Sequence, residues 1–361
     1  MNAHRGLAVI CWALGDSEGA RHHQTQQYAD RPVETLPFLG TGEPVPLVVL
    51  MSAEVGNLPW PALVDNRVFS TTIVAVEYFE TDRALPPHRL ILNAIGDADV
   101  CGPALERAQA LVRQTSAQVI NAPAAVLATG RISNAERLGR LPGVITPRMV
   151  RLPRAVLAGA DGAAAIHWHE IAFPLLLRSA GFHMGQHFVR VEAPDGLAAA
   201  SAALPGEELL VMEYLDARGA DGQARKCRVM SIGGRLYPLH LAISPDWKVH
   251  YFSAAMADSS EHQREEAAFL TDMPGVLGDK AVRALEEVAK TLGLDYAGID
   301  FSLGRGGEIL LFEANATMRI HPPGPEPQWN YRRASVNRAL EAAHQMLCDR
   351  ASSPAATGRA A

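Results

Sequence analysis

From residue 46 onward the chain alternates short apolar runs with turns. PLVVLMS, VFSTTIVAVEYF, HRLILNAIGDAD and AQVINAP each have the length and β-branched content of a strand. Between the last two, PALERAQALVRQTSA carries apolar residues at helical spacing. Strand, helix and strand in that order predict a parallel α/β layer over 46–145. Its loop NAIGDAD follows a strand, where open parallel sheets place ligands, but acidic turns also serve there as plain helix caps. Both readings stand.

Before that layer, 15–45 is polar with scattered Gly and Pro and shows neither period, so 1–45 is expected to be an irregular arm. After it, 131–154 holds a short helical pattern and then Pro142, Pro147 and Pro153, which suit a connector between domains. FPLLLRSAGFHMGQHFVRV then reads as strand, glycine loop and strand, and ELLVMEYLDARGADG as a strand ending in a polar loop. RKCRVMSIGGRLYPLHLAIS is a hairpin turning at Gly233 and Gly234. Helices follow at EHQREEAAFLTDM and DKAVRALEEVAKTLG. The second gathers Ala281, Val282, Leu285, Val288, Ala289 and Leu292 on one face, with Gly293 as its stop. A further hairpin, GIDFSLGRGGEILLFEANAT, leads to a proline-rich loop, a last helix and a tail over 346–361 expected to be disordered.

The length of 361 residues and the content of 48 % apolar and 20 % charged residues suit a globular protein of two or three packed units. A net charge of −6 and a pI of about 6.1 leave no basic footprint for nucleic acid, so any phosphate site must be local. Cys11, Cys101, Cys227 and Cys348 form no CxxC pair and read as reduced thiols of a cytoplasmic protein. The apolar run LAVICWAL at 7–14 is too short to span a bilayer and lacks a small-residue cleavage site, which predicts neither anchor nor signal peptide.

The last hairpin carries the sharpest chemical signal. With a two-residue turn at Gly306 and Gly307, Asp300 falls opposite Glu313 on one face, and Asn315 follows one pleat on. Facing carboxylates repel, so something positive should lie between them. Three hard oxygen donors suit Mg²⁺, which also takes nucleotide phosphates; a Lys or Arg from elsewhere in the chain would serve as well.

A nucleotide needs a phosphate cradle, and the chain contains neither GxxxxGK[ST] nor a GxGxxG that opens a helix. Gly181 and Gly185 instead form a flap able to bring main-chain N–H groups near phosphates, with Arg178 at the strand end. The run holding Met212, Glu213, Leu215 and Asp216 has the character of an adenine hinge: an edge segment pairs with the base and Asp216 accepts from the ribose. It also reads as a plain strand reaching the surface. Lys226 and Arg228 share a strand face, suited to a triphosphate or an acyl phosphate. His240, Lys248 and His250 crowd one region whose cations would seat an anionic substrate group, although each His taken singly reads as a structural residue.

In that order, the flap, hinge, basic strand and Asp300, Glu313 and Asn315 resemble the ATP-grasp superfamily over about 125–325. INAPAAVLATGR, RKCRVMSIGGRLYPLHLAIS and LDYAGIDF…LLFEANATM are similar to bacterial ATP-grasp proteins often joined to tetratricopeptide repeats, which this chain lacks. The resemblance implies an α/β (α+β) ATP-grasp fold. Its parts would be a Rossmann-like pre-ATP-grasp domain at 46–145 and an ATP-grasp domain at 146–345, with the glycine-loop subdomain at about 160–215 and a C-terminal metal-binding subdomain. It further implies ATP and Mg²⁺ as cofactors, Asp300, Glu313 and Asn315 as metal ligands, and a homodimer by family habit. The implied reaction is carboxylate–amine ligation, as in joining amino acids or modifying a peptide: ATP phosphorylates a carboxylate, an amine attacks the acyl phosphate, and ADP and phosphate leave.

Two departures qualify this expectation. The lysines that many members aim at phosphates are here Arg131 and Arg178. The Arg that many peptide-forming members carry two residues before the first metal Asp is here Gly298, which shifts stabilisation of the transferring phosphoryl group to Arg228, Lys226 or Arg319. A small-molecule kinase and a non-catalytic nucleotide-binding module remain alternatives.

Overall fold

The computed structural model describes residues 3–14, 16–29, 31–54, 56–179, 182, 185–249, 254 and 256–353. Three sheets organise them. The first holds β1 (Val33–Thr35), β2 (Val45–Met51), β3 (Phe69–Ala75), β4 (Leu90–Asn93) and β5 (Gln118–Ile120) in the order β1-β3-β2-β4-β5. All neighbours are parallel except β1 on β3. After β6 (Val144–Ile145), the second sheet takes β7 (Met149–Pro153), β8 (Leu175–Ser179), β9 (Phe188–Val191) and β10 (Glu208–Glu213) in the antiparallel order β7-β10-β8-β9. The third runs β12-β11-β13-β14-β6, with β11 (Ala224–Ile232), β12 (Arg235–Ser244), β13 (Tyr296–Leu303) and β14 (Ile309–Asn315) antiparallel and β6 parallel on the edge.

Elements with strong periodicity lie where the sequence predicts them. The helix Asp279–Leu292 buries Ala281, Leu285, Val288, Ala289 and Leu292, packs Val282 partly, and ends at Gly293 in the left-handed region, φ 68°. Gly233 and Gly234 both take positive φ, the requirement of the tight turn joining β11 and β12.

Two elements differ from expectation. The polar N-terminal stretch is not an irregular arm: it forms the helices Ala3–Ala13 and Ser17–Tyr28, followed by β1. Asp16 caps the second helix by accepting from the Gly19 N–H, and Glu, Ala, Arg and Gln sustain it through propensity rather than an apolar stripe. At the other end, Asn330–Ser352 is one helix, so the tail expected to be disordered is helical over 346–352. Residues 354–361 lie outside the described residues.

The first and third sheets share their cores. One cluster joins Val48, Leu50 and Ile91 to Leu285, Ile299 and Phe301; another joins Leu47 and Leu92 to Met230, Tyr296 and Leu347. An amide clamp links the same layers: the Tyr296 N–H donates to Asn121 Oδ1 at 2.9 Å, Asn121 Nδ2 donates to the Tyr296 carbonyl at 2.8 Å, and Asn93 Nδ2 donates to the Asn121 carbonyl at 2.9 Å. The second sheet buries Leu175, Leu177, Leu209 and Val211 against its own helices. Its opposite face presents Leu176, Leu210 and Met212. Among the described residues no helix is long and apolar enough to cross a membrane.

Candidate functional site

The β13–β14 hairpin pairs Asp300 with Glu313 and Gly298 with Asn315. The route to that register is not a two-residue turn. Residues 304–308 form the loop, Leu303 pairs with Ile309, and a bulge at Phe312 shifts the ladder by one, restoring the facing carboxylates.

Each carboxylate has protein cations beside it. Arg228, opposite Asp300 on β11, donates in a fork from Nε to Oδ1 at 2.6 Å and from Nη2 to Oδ2 at 2.8 Å; Lys226 Nζ lies 3.3 Å from Oδ2. Glu313 Oε1 accepts from Arg131 Nη2 at 2.6 Å and from Asn315 Nδ2 at 2.9 Å. Burial alone would raise the pKa of both acids, but Arg228 and Lys226 at Asp300, and Arg131 and Arg178 at Glu313, outweigh it and hold both below the usual range. Both are ionised at neutral pH.

As a home for Mg²⁺ the donor set fits in part. Glu313 and Asn315 offer oxygen donors of the kind that complete a magnesium shell with waters and phosphates. Asp300 has both oxygens engaged by cations. Asn315 Oδ1 accepts from the Thr317 N–H and hydroxyl. Among the described residues no group of three or more His, Cys, Asp or Glu side chains is placed to hold a metal ion.

Beside the hairpin lies a cleft open to solvent. Its apolar end is lined by Leu138, Met149 and Leu311, and its polar end by Asp97, Asp99, Arg131 and Glu313. The helix Arg131–Leu138 is pinned to the hairpin by Asn134 Nδ2, which donates to the Ala314 carbonyl at 2.8 Å. The loop after β4 comes so close that a Cβ on Gly96 would meet Thr317 Cγ2 at 2.8 Å, which is why glycine stands there. Asp99 accepts from the Arg131 N–H at 2.9 Å and from Arg151 at 3.3 Å. NAIGDAD is therefore a wall of the cleft. Arg151 joins it with no sequence signal beyond its place on a strand. An adjoining recess adds Arg178, Ser179 and Leu210.

Other expected site residues fare differently. Gly181 and His250 lie outside the described residues. Gly185 takes φ 71°, and Lys248 Nζ donates to the carbonyls of Gly185 and Phe188, crossing from the loop after β12 to the flap. Lys248 is thus engaged by the flap rather than presented as a seat for a carboxylate. Arg178 donates to the Phe182 carbonyl and lies over the Phe188 ring at 5.7 Å. The strand with Met212 and Glu213 is not an edge, because β7 and β8 flank it and the Glu213 N–H donates to the Arg148 carbonyl. Leu215 lies just past its end. Asp216 is gripped by Arg218, at 2.8 and 2.7 Å, which lowers its pKa and leaves it less open to a ribose. His240 is buried opposite Arg228; burial first and that guanidinium second keep it neutral, so it is no cationic seat. Arg319 is exposed and forms no ion pair among the described residues.

Gly298 has a steric reason. A Cβ there would meet Met318 Cβ and Sδ at 2.4 Å. Gly298→Ala is expected to lower stability by about 1–3 kcal/mol in chemical denaturation, and Met318→Ala in the same chain should not recover the loss, because alanine keeps the Cβ that stands at 2.4 Å. Unchanged stability of the single variant would show that Met318 gives way freely.

No protein-family model matches the chain, and a search of curated proteins finds no match. Solved structures do resemble it. A D-alanine–D-alanine ligase from Bacillus anthracis superposes with TM-score 0.53 at 13 % identity, over 85 % of this chain and 97 % of that one. The same ligase complexed with ATP gives 0.51 at 12 %, over 85 % and 96 %. The VanG D-Ala:D-Ser ligase from Enterococcus faecalis gives 0.51 at 12 %, over 86 % and 100 %.

Proposed function

The chain has the ATP-grasp fold, and on that fold we propose that it is an ATP- and Mg²⁺-dependent ligase joining a carboxylate to an amine. One observation carries this reading: Arg131, Arg178, Lys226 and Arg228 converge on the carboxylates of one hairpin, beside the apolar face that Leu176, Leu210 and Met212 share with Met149 and Ile132. An apolar face between two sheets suits a purine, and the cationic groups beside it suit a triphosphate. The ligases of similar fold, one complexed with ATP, support the same reading.

In this scheme Arg131 and Arg178 grip the phosphates, while Arg228 and Lys226 face the charge that develops on the transferring phosphoryl group. Bound Mg²⁺ would be held by Glu313 and Asn315 and would supply neutralisation of phosphate charge. A carboxylate oxygen attacks the γ-phosphorus as the bond to ADP breaks. The amine nitrogen then attacks the acyl carbon, phosphate leaves, and the amine gives up a proton. The buried, neutral His240 is poorly placed to take it, so a solvent base or phosphate does so. The compartment follows the thiol reading, cytoplasmic.

Gly298, closed off by Met318, favours a second reading in which the protein stops at phosphoryl transfer as a kinase. Incubation with Mg-ATP, pooled amino acids and short peptides separates the two. Ligation yields ADP together with a new amide by mass spectrometry. ADP that depends on an acceptor but yields no amide points to the kinase, and no ADP under any condition points to a non-catalytic module.

A further inference from the structure

We propose that Asp300 does not coordinate a metal ion but anchors Arg228 and Lys226, so that the site takes a single divalent cation, on Glu313 and Asn315. This deepens the nucleotide reading above and rests on it. Both Asp300 oxygens face cations, the Arg228 fork at 2.6 and 2.8 Å and Lys226 at 3.3 Å, whereas the donors to Asn315 Oδ1 are the neutral N–H and hydroxyl of Thr317. The side chain of Asp300 is 4 % exposed, whereas those of Arg228 and Lys226 are 18 % and 17 % exposed, and that of Glu313 28 %. A cation entering from the cleft therefore meets Glu313 and the two basic side chains before it can reach Asp300.

To bind at Asp300, a metal ion would have to displace two largely buried cations and leave them without their counter-charge, which is strongly unfavourable in a low-dielectric setting. The displacement is also unnecessary. Arg228 and Lys226 together bring two positive charges, the charge of one divalent ion, beside Asp300. The carboxylate is a positioning group: it fixes the guanidinium plane and the ammonium, which remain more exposed than it is.

Titration with Mn²⁺ in the presence of AMP-PNP, followed by electron paramagnetic resonance, counts the ions directly. The wild-type chain is expected to bind one nucleotide-dependent Mn²⁺. Glu313→Gln is expected to lose it and Asp300→Asn to keep it. Asp300→Asn should also weaken AMP-PNP binding at least tenfold, because its cations are released, while Asp300→Glu restores the affinity. Two Mn²⁺ per wild-type chain would overturn this inference alone and leave the nucleotide reading intact. No nucleotide-dependent Mn²⁺ in the wild type would overturn the nucleotide reading beneath it. The wild-type count decides even if Asp300→Asn fails to fold.

Discussion

Replacing Glu313 by Gln is expected to reduce ATP turnover by about two to three orders of magnitude while leaving the fold in place. The substitution is isosteric, and its Oε1 can still accept from Arg131 and Asn315, so the local packing is kept. What disappears is one negative charge at the point where the chain would hold a hard cation against phosphate oxygens. Arg131 keeps the Gln oxygen as an acceptor, and the position is 28 % exposed, so the loss of stability should be small. ADP release measured with saturating acceptor tests the first part, and a melting temperature within a few degrees of wild type tests the second. Turnover at the wild-type rate would remove the hairpin from the chemistry altogether.

The largest effect on stability should come from a buried pair outside the cleft lining. Glu266 is fully buried, and Arg332 donates to its Oε2 from Nε at 3.0 Å and from Nη2 at 2.6 Å. Tyr331 donates its hydroxyl to the same oxygen, and the Leu241 N–H donates to the other. Arg332 also lies over the Trp329 ring at 4.0 Å. Burial raises the Glu266 pKa, with Arg332 opposing it. Removing the charge alone, as in Glu266→Gln, strands a guanidinium in the interior and is expected to cost about 3–5 kcal/mol. Urea denaturation should show a lower midpoint at unchanged slope. Replacing both partners by apolar residues of similar volume should recover most of the loss, and equal instability of the single and double variants would contradict this account.

Much of the candidate site was legible because it is written in period two and in glycine. Asp300, Glu313 and Asn315 could be paired from the sequence, since side-chain alternation fixes which residues share a face. The bulge at Phe312 could not be read, because the bulge and the longer, five-residue loop cancel in the register sum. The same alternation put Lys226 and Arg228 together. That Asp300 would hold them both depends on β11 lying beside β13, a long-range pairing that local pattern does not contain. Tertiary packing decided two of the failures: His240 loses its charge to the burial around it, and Lys248 is drawn to flap carbonyls. Asp216 is captured locally, by Arg218 two residues on. The helix Ser17–Tyr28 escaped notice because it has no apolar stripe to announce it.

The division of the cores has a mechanical consequence. The first and third sheets bury one another's side chains and are tied by the Asn121 amide, so they form a single stiff jaw. The small antiparallel sheet keeps its own interior and touches the rest mainly through Leu176, Leu210 and Met212. Opening the cleft therefore leaves both large cores intact and peels apart that thin apolar seam, the Lys248 strap and the Arg151–Asp99 pair. Those are the surfaces a bound purine would replace, so the molecule can trade contacts with itself for contacts with its ligand at little net change in buried area.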